Sequence, residues 1–383
     1  MEEKVKYISL SDYCSSVRDG THDTPKPTET GKYLVTSRAV NKNTIDFASC
    51  YYISQEDFDK INKRSLVEQW DVIMTMIGSV GRLLLVKDSP DYAIKNMALF
   101  KIGDEMKAKW LYYYLSNKSV QDYFEQIANG TSQHFIGLGQ LRKLKIADFT
   151  PKSARIASIL SSYDNLIELN TRRIKLLEQM AENLYKEWFV RFRFPNYQST
   201  PIENGIPKGW KVEKLGNVSN ISTGKCNRED AEEDGIYPLF DRSQEIKKSS
   251  EWLKDCEAII VPGEGTSFIP RYYWGKFNLH QRCYCVEPQL ENIGKFLFYT
   301  LMLNRKYFLS VATGATVPSL RYNNFAKMKF ILPSEDIYRQ FDSIVTPIFS
   351  EIAALQSHSA NLTRQRDLLL PRLMSGQLPL SHL

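Results

Sequence analysis

The chain has 383 residues, more than one average core holds, so two or more domains are expected. With 43% hydrophobic and 25% charged residues it reads as a folded chain, which excludes a disordered one. Its net charge of +6 is mildly basic, compatible with nucleic-acid binding but not diagnostic of it.

No apolar run approaches the ~20 residues of a membrane helix. The first ten residues, "MEEKVKYISL", lack a signal-peptide core. The six cysteines form no CxxC pair and are too sparse for a disulfide scaffold, so they are read as reduced thiols in a cytoplasm.

Taken in chain order, the sequence says the same thing twice. "KYISLSDYCSSVRDGTH" near the start returns as "KVEKLGNVSNISTGKC" at 211–226. "WDVIMTMIGSVG" (70–81) returns as "CEAIIVPGEGTS" (256–267): an acidic residue, a short β-prone run, then a Gly/Ser/Thr loop. The helical run "MKAKWLYYYLSNKSVQDYFEQI" has the counterpart "IGKFLFYTLMLNRKYFLSV". "QIANGTSQHF…LRKLKIADFTP" (126–151) matches "SVATGATVPSLRYNNFAKMKFILP" (310–333), with Gly130 and Gly314 offset by 184. Each unit is thus a mixed α/β (α+β) head of about 150 residues followed by a long helix. The expected division is a head at 1–151, a helix at 152–195, a linker and second head at 196–333, and a second helix with its tail at 334–383. The linker segment is "PNYQSTPIENGIPKGW" (195–210), rich in Pro, Gly and Asn.

The first helix carries an unbroken heptad seam: Ile156, Leu160, Tyr163, Ile167, Asn170, Ile174, Leu177, Ala181, Leu184 and Trp188. Its polar member, Asn170, is the type of residue that fixes register. The second helix offers Ile337, Phe341, Ile344, Ile348, Leu355, Leu362 and Leu369, with weaker positions at Glu351, His358 and Gln365. Two such seams are expected to pair with each other. The end of the first helix, "WFVRFRFP", is apolar on nearly every side, and its Trp188, Phe189 and Phe192 are assigned to interface.

Catalytic motifs are present only as fragments. "FIGLG" (135–139) matches an F-x-G-x-G cofactor loop, but no Pro-Pro dipeptide supplies the flipped-base loop that amino-methyltransferases need. Pro90-Asp91 with Glu105-Met106-Lys107 fits a loose nuclease pattern, but "GDEMKAKW" reads as a helix start. No metal-ligand spacing, Walker loop or nucleophile elbow occurs. The expectation is a binder, not an enzyme, with no cofactor or metal of its own.

"LLEQMAENLYKEWFVRFRFP" followed by "GIPKGWKVEKLGNV", and "LTRQRDLLLPRLMSGQL" near the C-terminus, resemble the specificity subunit of type I restriction–modification systems. The resemblance covers the whole chain, including the duplicated layout. It implies two target-recognition domains joined by two long helices in an antiparallel coiled coil, with an internal pseudo-two-fold repeat. Each head is implied to read one half of a bipartite, asymmetric double-stranded DNA site, and the coiled coil to set the spacer. Two modification subunits are implied to bring S-adenosylmethionine, and restriction subunits ATP and Mg²⁺. A free-standing methyltransferase or nuclease with duplicated DNA-binding heads is the alternative, and a pure assembly protein a further one.

Base reading needs side chains on loops that enter a groove, backed by phosphate contacts. In the first head the candidates are Ser37, Arg38, Gly78, Ser79, Gly81, Arg82, Gln133, His134 and Arg142. In the second they are Arg242, Ser243, Gln244, Gly265, Thr266, Ser267, Arg271, Tyr272, Tyr273, Gln281, Arg282 and Arg321. The coiled-coil interface is assigned to the seam residues above, with Ile348, Leu355, Leu362 and Leu369 on the second helix.

Overall fold

The computed structural model describes residues 5–41, 43–128 and 134–379. It forms two compact units, Met1–Asn170 with Ser357–Leu383, and Thr171–Gln356.

The first unit is built on a four-stranded antiparallel sheet, in the order Ser16–Asp19, Met97–Lys101, Val72–Thr75 and Leu83–Leu85. Its inner strands are continuous apolar runs, "VIMT" and "MALFK", because both faces are covered. Val72, Met74, Ala98 and Phe100 face helices Glu105–Ser116 and Lys118–Ile127 through Ala108, Leu111, Leu115 and Phe124. Ile73, Leu84, Met97 and Leu99 face the other way, onto Val35, Val40 and Ile94. Helix Glu105–Ser116 starts where Asp104 caps it, its carboxylate accepting from the Lys107 N–H at 2.8 Å. A three-stranded sheet, Tyr51–Ile53, Lys32–Val35 and Tyr92–Ile94, lies beside it, the last two strands parallel.

The second unit repeats the plan. Its sheet runs Ser219–Thr223, Cys283–Pro288, Lys254–Pro262 and Arg271–Leu279, then continues to Tyr237–Phe240 and Lys247–Ser249. Tyr237–Phe240 is parallel to Arg271–Leu279. In both units the strand that opens the head pairs antiparallel with the strand just before the long helix: Tyr7–Ser9 with Lys145–Ala147, and Lys211–Lys214 with Lys329–Leu332.

The long helices are Pro151–Tyr185 and Glu335–Met374. Pro151 stands at the first helical position, where its missing N–H costs nothing. Within the first unit Ile156, Ala157 and Leu160 pack with Leu369 and Leu373, Arg366 donates to Asp164 at 2.5 Å, and Asn170 meets His358. Within the second unit Arg173 donates to Glu351 at 2.7 Å, and Ala181, Tyr185 and Trp188 share a core with Phe341 and Val345. Numbers rise along one helix as they fall along the other, so the packing is antiparallel in each unit.

The seam of the second helix departs from the expected register. Ile344 is 46% exposed, and the fully buried Val345 takes its place. The steps 337, 341, 345 and 348 are 4, 4 and 3, an eleven-residue rhythm in place of a heptad. Further along, Ser359 is half-buried where His358 is exposed, while Glu351 and Ile352 are both half-buried; Glu351 and His358 both bond to the partner helix.

The first helix does not run through "WFVRFRFP". After Tyr185 the backbone widens into a π-turn at Lys186–Val190, and Phe192 takes a left-handed φ of 56° that ends it. The apolar faces are covered by this same unit. Phe189 packs edge-on against Phe296 at 4.8 Å and Phe341 at 5.1 Å, Trp188 lies 6.1 Å from Phe341, and Phe194 and Phe192 flank Trp210. Val190 is the residue left outside, at 57% exposure. The linker that follows ends on the buried Trp210, which seals this cluster.

Candidate nucleic-acid interface

Two parallel strands end side by side in each head, and polar loops leave from those ends. In the first head, Thr36–Arg38 follow strand Lys32–Val35, and Lys95 and Asn96 follow Tyr92–Ile94. The Lys95 N–H donates to Val35 O at 2.9 Å, the Thr21 N–H to Ile94 O at 3.0 Å, and the Asn96 N–H to Thr21 O at 3.1 Å. In the second head the His280 N–H donates to Phe240 O at 2.9 Å, the Cys226 N–H to Leu279 O at 3.2 Å, and the Gln281 N–H to Cys226 O at 2.9 Å. The two heads therefore match bond for bond. Glycine precedes the crossing segment in both because the backbones approach so closely: a Cβ on Gly20 would lie 2.3 Å from Ile94 O, and one on Gly224 1.8 Å from Leu279 O.

A second pair of loops matches equally well. The Gly78 N–H donates to His134 O at 3.0 Å, and the Gly265 N–H to Pro318 O at 3.0 Å. The Ile136 N–H donates to Met76 O, and the Leu320 N–H to Gly263 O. Gly78 (φ 77°) and Gly265 (φ 126°) occupy backbone regions that favour glycine. Met76 thus corresponds to Gly263, one residue further along than the sequence repeat suggests. Short helices follow, capped alike: Gln140 accepts from the Gly137 N–H at 2.9 Å, and Asn324 from the Arg321 N–H at 2.6 Å.

The sequence-nominated residues fall into three groups. Arg38, Ser79, His134, Gln244, Thr266, Gln281 and Arg321 are exposed on these loops, and Ser37 is half-buried there. Gly81 is buried against the Gln121 side chain, and Gln133 lies outside the described residues.

The second group ties the loops down. Arg82 donates to Val40 O at 3.1 Å, and Arg271 donates to Ser243 O at 3.0 Å and Asp241 O at 2.5 Å while lying over the Phe240 ring. Each arginine pins the segment that follows one of the parallel strands, Lys32–Val35 or Tyr237–Phe240. Burial pushes the Arg271 guanidinium below its ordinary pKa. Ser243 donates to Asp241 at 2.5 Å; burial raises the Asp241 carboxyl, but Lys247 and Ser243 outweigh it and hold it at about 2. Arg142 donates to Val17 O at 2.9 Å, and Ser267 O accepts from Arg305 at 2.8 Å. Arg242 and Arg282 share the carboxylate of Glu264, Arg242 at 2.6 Å.

The third group belongs to packing. Tyr272 donates to Glu257 at 2.6 Å with its ring edge-on to Phe349, and the Tyr273 ring packs on Phe240. Neither joins the loops.

Three residues on these strand ends were missed from the sequence: His22, Asn96 and Asn227. The signal was Gly20 and Gly224, which mark the two crossing segments, although Thr21 follows its glycine directly and Cys226 stands two residues after its own.

The catalytic fragments are ordinary structure. Phe135 bridges Ile77, and Gly137 begins a six-residue helix. Glu105 pairs with Lys109 at 2.6 Å on its helix, far in role from a metal site, and Asp91 pairs with Lys32. Among the described residues no His/Cys/Asp/Glu cluster could hold a metal, and no helix is long and apolar enough to cross a membrane.

Comparison with known proteins agrees with this duplicated plan. The family model of the type I restriction modification DNA specificity domain matches residues 2–179 and again 207–362. The chain is 26% identical to the type I restriction enzyme MjaIX specificity subunit of Methanocaldococcus jannaschii, over 73% of this chain and 71% of that protein. It is 22% identical to the HindI specificity subunit of Haemophilus influenzae, over 87% of this chain and 91% of that one. The crystal structure of the type I S subunit from M. genitalium shares the fold, with a TM-score of 0.60, 18% identity and 97% of each chain covered. The chain belongs to the type I restriction–modification DNA specificity family, the sequence-recognising and non-catalytic subunits of those systems.

Proposed function

We propose that each head reads one half of a bipartite, asymmetric site in double-stranded DNA, and that the paired long helices set the unread spacer. The observation that carries this is the repeated loop framework. The same main-chain bonds recur in both heads, while the side chains they present differ: Ser37, Arg38 and His134 in one, Arg242, Ser243 and Pro318 in the other. One scaffold with two sets of polar tips suits two different half-sites.

In this reading the heads are 1–151 and 196–333, and the helices 152–195 and 334–383. The nominated loop residues supply base and phosphate contacts. The protein works in the cytoplasm with two modification subunits, which bring S-adenosylmethionine, and with restriction subunits, which bring ATP and Mg²⁺. The exposed Val190 is available to those partners.

The test is selection from a random duplex library by the chain assembled with its modification subunits. The expected result is a motif of two unlike halves around an unread gap. A single continuous motif, or no sequence preference above the non-specific background, overturns the proposal.

A further inference from the structure

Side-chain pairs occupy the same place in both heads. In the first, His22 Nδ1 lies 2.8 Å from Asn96 Oδ1. In the second, Gln281 Nε2 donates to Asn227 Oδ1 at 2.6 Å. His22 directly follows Thr21, and Asn227 directly follows Cys226; Thr21 and Cys226 accept main-chain bonds from Asn96 and Gln281 respectively. The pairs are therefore equivalent by backbone, although they share no side-chain type at either position.

Both pairs stand at the surface: His22, Asn227 and Gln281 are exposed and Asn96 is half-buried. Each pair is nonetheless held in place. The other His22 nitrogen lies 2.9 Å from Asp19, a buried carboxylate that also takes Arg64. Asn96 sits in the left-handed region at φ 55°, which an Asn tolerates better than most residues. The Asn227 N–H donates to Asp230 at 2.7 Å. In each pair one amide hydrogen bond is used inside the pair. The Asn96 amide nitrogen, the Gln281 amide oxygen and the Asn227 amide nitrogen take no partner among the described residues.

Rigid polar tips with unused donors and acceptors, beside arginines, are what base-edge readout requires. An amide offers a donor and an acceptor side by side, the pattern that pairs bidentately with a base edge in the major groove. Lys95 and Arg282 adjoin Asn96 and Gln281 in the chain, Lys95 donating to Thr24 and Arg282 pairing with Glu264, so a cation stands next to each pair.

We propose that His22–Asn96 and Asn227–Gln281 are equivalent base-reading pairs, one for each half-site. This rests on the reading of the heads as two half-site readers. The experiment compares Asn96→Asp, Asn96→Gly, Gln281→Glu and Gln281→Ala with the unmodified chain, each assembled with its modification subunits. The Asp and Gly variants keep a residue that tolerates the left-handed φ at 96. Binding-site selection and the salt dependence of binding are both read.

The expected result is a changed preference at one or two neighbouring base pairs. Asn96 variants change one half-site and Gln281 variants the other, with about tenfold weaker binding to the original site and, for the uncharged Asn96→Gly and Gln281→Ala, an unchanged salt slope. Retention of the original motif by all four variants overturns the proposal. So does an equal loss on every sequence with a shallower salt slope, which marks a phosphate contact. If the unmodified complex itself selects no bipartite motif, the reading of the heads fails; if it does and the variants leave that motif unchanged, only the assignment of these pairs fails.

Discussion

The side-chain nitrogen of Asn170 lies 3.3 Å from Nδ1 of His358 and donates to Ser359 Oγ at 3.2 Å, on the facing long helix. Asn170 is 4% exposed, so these partners satisfy an amide that is cut off from water. Shifting one helix along the other would strand it.

Asn170→Leu is therefore expected to raise stability by about 1–2 kcal/mol while loosening register. Thermal melting reads the first effect. Cysteines introduced at 173 and 351, which form an ion pair in the native register, read the second. A variant with higher melting temperature and undiminished cross-linking would show that Asn170 does not set register.

Trp188→Ala is expected to cost about 3–5 kcal/mol, the usual price of a truncated buried aromatic. Because the ring belongs to the core of the second unit, the damage should fall on the second half-site. Selection by the variant complex should keep the first half of the motif. Equal loss of both halves would place the ring's main role in subunit assembly instead.

Lys295 and Asp342 form a buried ion pair at 2.9 Å between helix Gly294–Leu303 and the second long helix. Asp342→Ala leaves an unpaired buried ammonium and should destabilise by about 3–5 kcal/mol. The double change Lys295→Met with Asp342→Leu should recover most of that. Chemical denaturation of the unmodified chain, Asp342→Ala and the double variant measures it; a double variant as weak as Asp342→Ala would contradict the account.

His280 gives stability a pH dependence. Burial lowers its pKa below the ordinary 6.5, helped by the neighbouring Arg242. Its Nδ1 accepts from the Arg282 N–H at 3.0 Å, which needs an unprotonated nitrogen. As pH falls through about 6.5, the unfolded chain gains a proton that the folded chain refuses, so stability declines as pH is lowered. His280→Gln should flatten denaturation midpoints between about pH 5 and 7. The same slope in both proteins would remove His280 from the explanation.

A fragment of residues 1–195 retains the first head and first helix but loses Leu369 and Leu373, which cover Ile156 and Leu160. The exposed stripe should be covered by a second copy in a two-fold dimer. Such a dimer should select a palindrome of the first half-site. Mass measurement and site selection test this, and a stable monomer would contradict the duplicated-unit reading.

The parts of this fold legible in the sequence are those with a period or a repeat. The seam from Ile156 to Trp188 could be read because packing between helices imposes its spacing on the chain. Val345 could not be separated from Ile344 because both are β-branched and the rhythm changes from sevens to eleven at that point. The π-turn at Lys186–Val190 was not read from the sequence; its Phe189 ring meets Phe296 and Phe341, both distant in the chain.

Arg82, nominated from its Gly-rich loop, and Arg271, nominated beside Tyr272 and Tyr273, both donate to loop carbonyls, a supporting role that only the fold shows. His22 and Asn96 were overlooked because 74 residues separate them, and only the parallel strand ends bring them together.

The correspondence between the heads is carried by main-chain bonds: Gly78 to His134 and Gly265 to Pro318, Lys95 to Val35 and His280 to Phe240. Such bonds ask little of the side chains that project beyond them. Substitution at a loop tip therefore leaves the supporting framework, and most of its free energy, in place. This decouples the cost of changing what is read from the cost of staying folded. New target sequences lie a few substitutions away along nearly level ground, whereas new scaffolds do not. A chain built this way can diversify its two readers independently, because a change in one set of tips leaves the other set's bonds untouched.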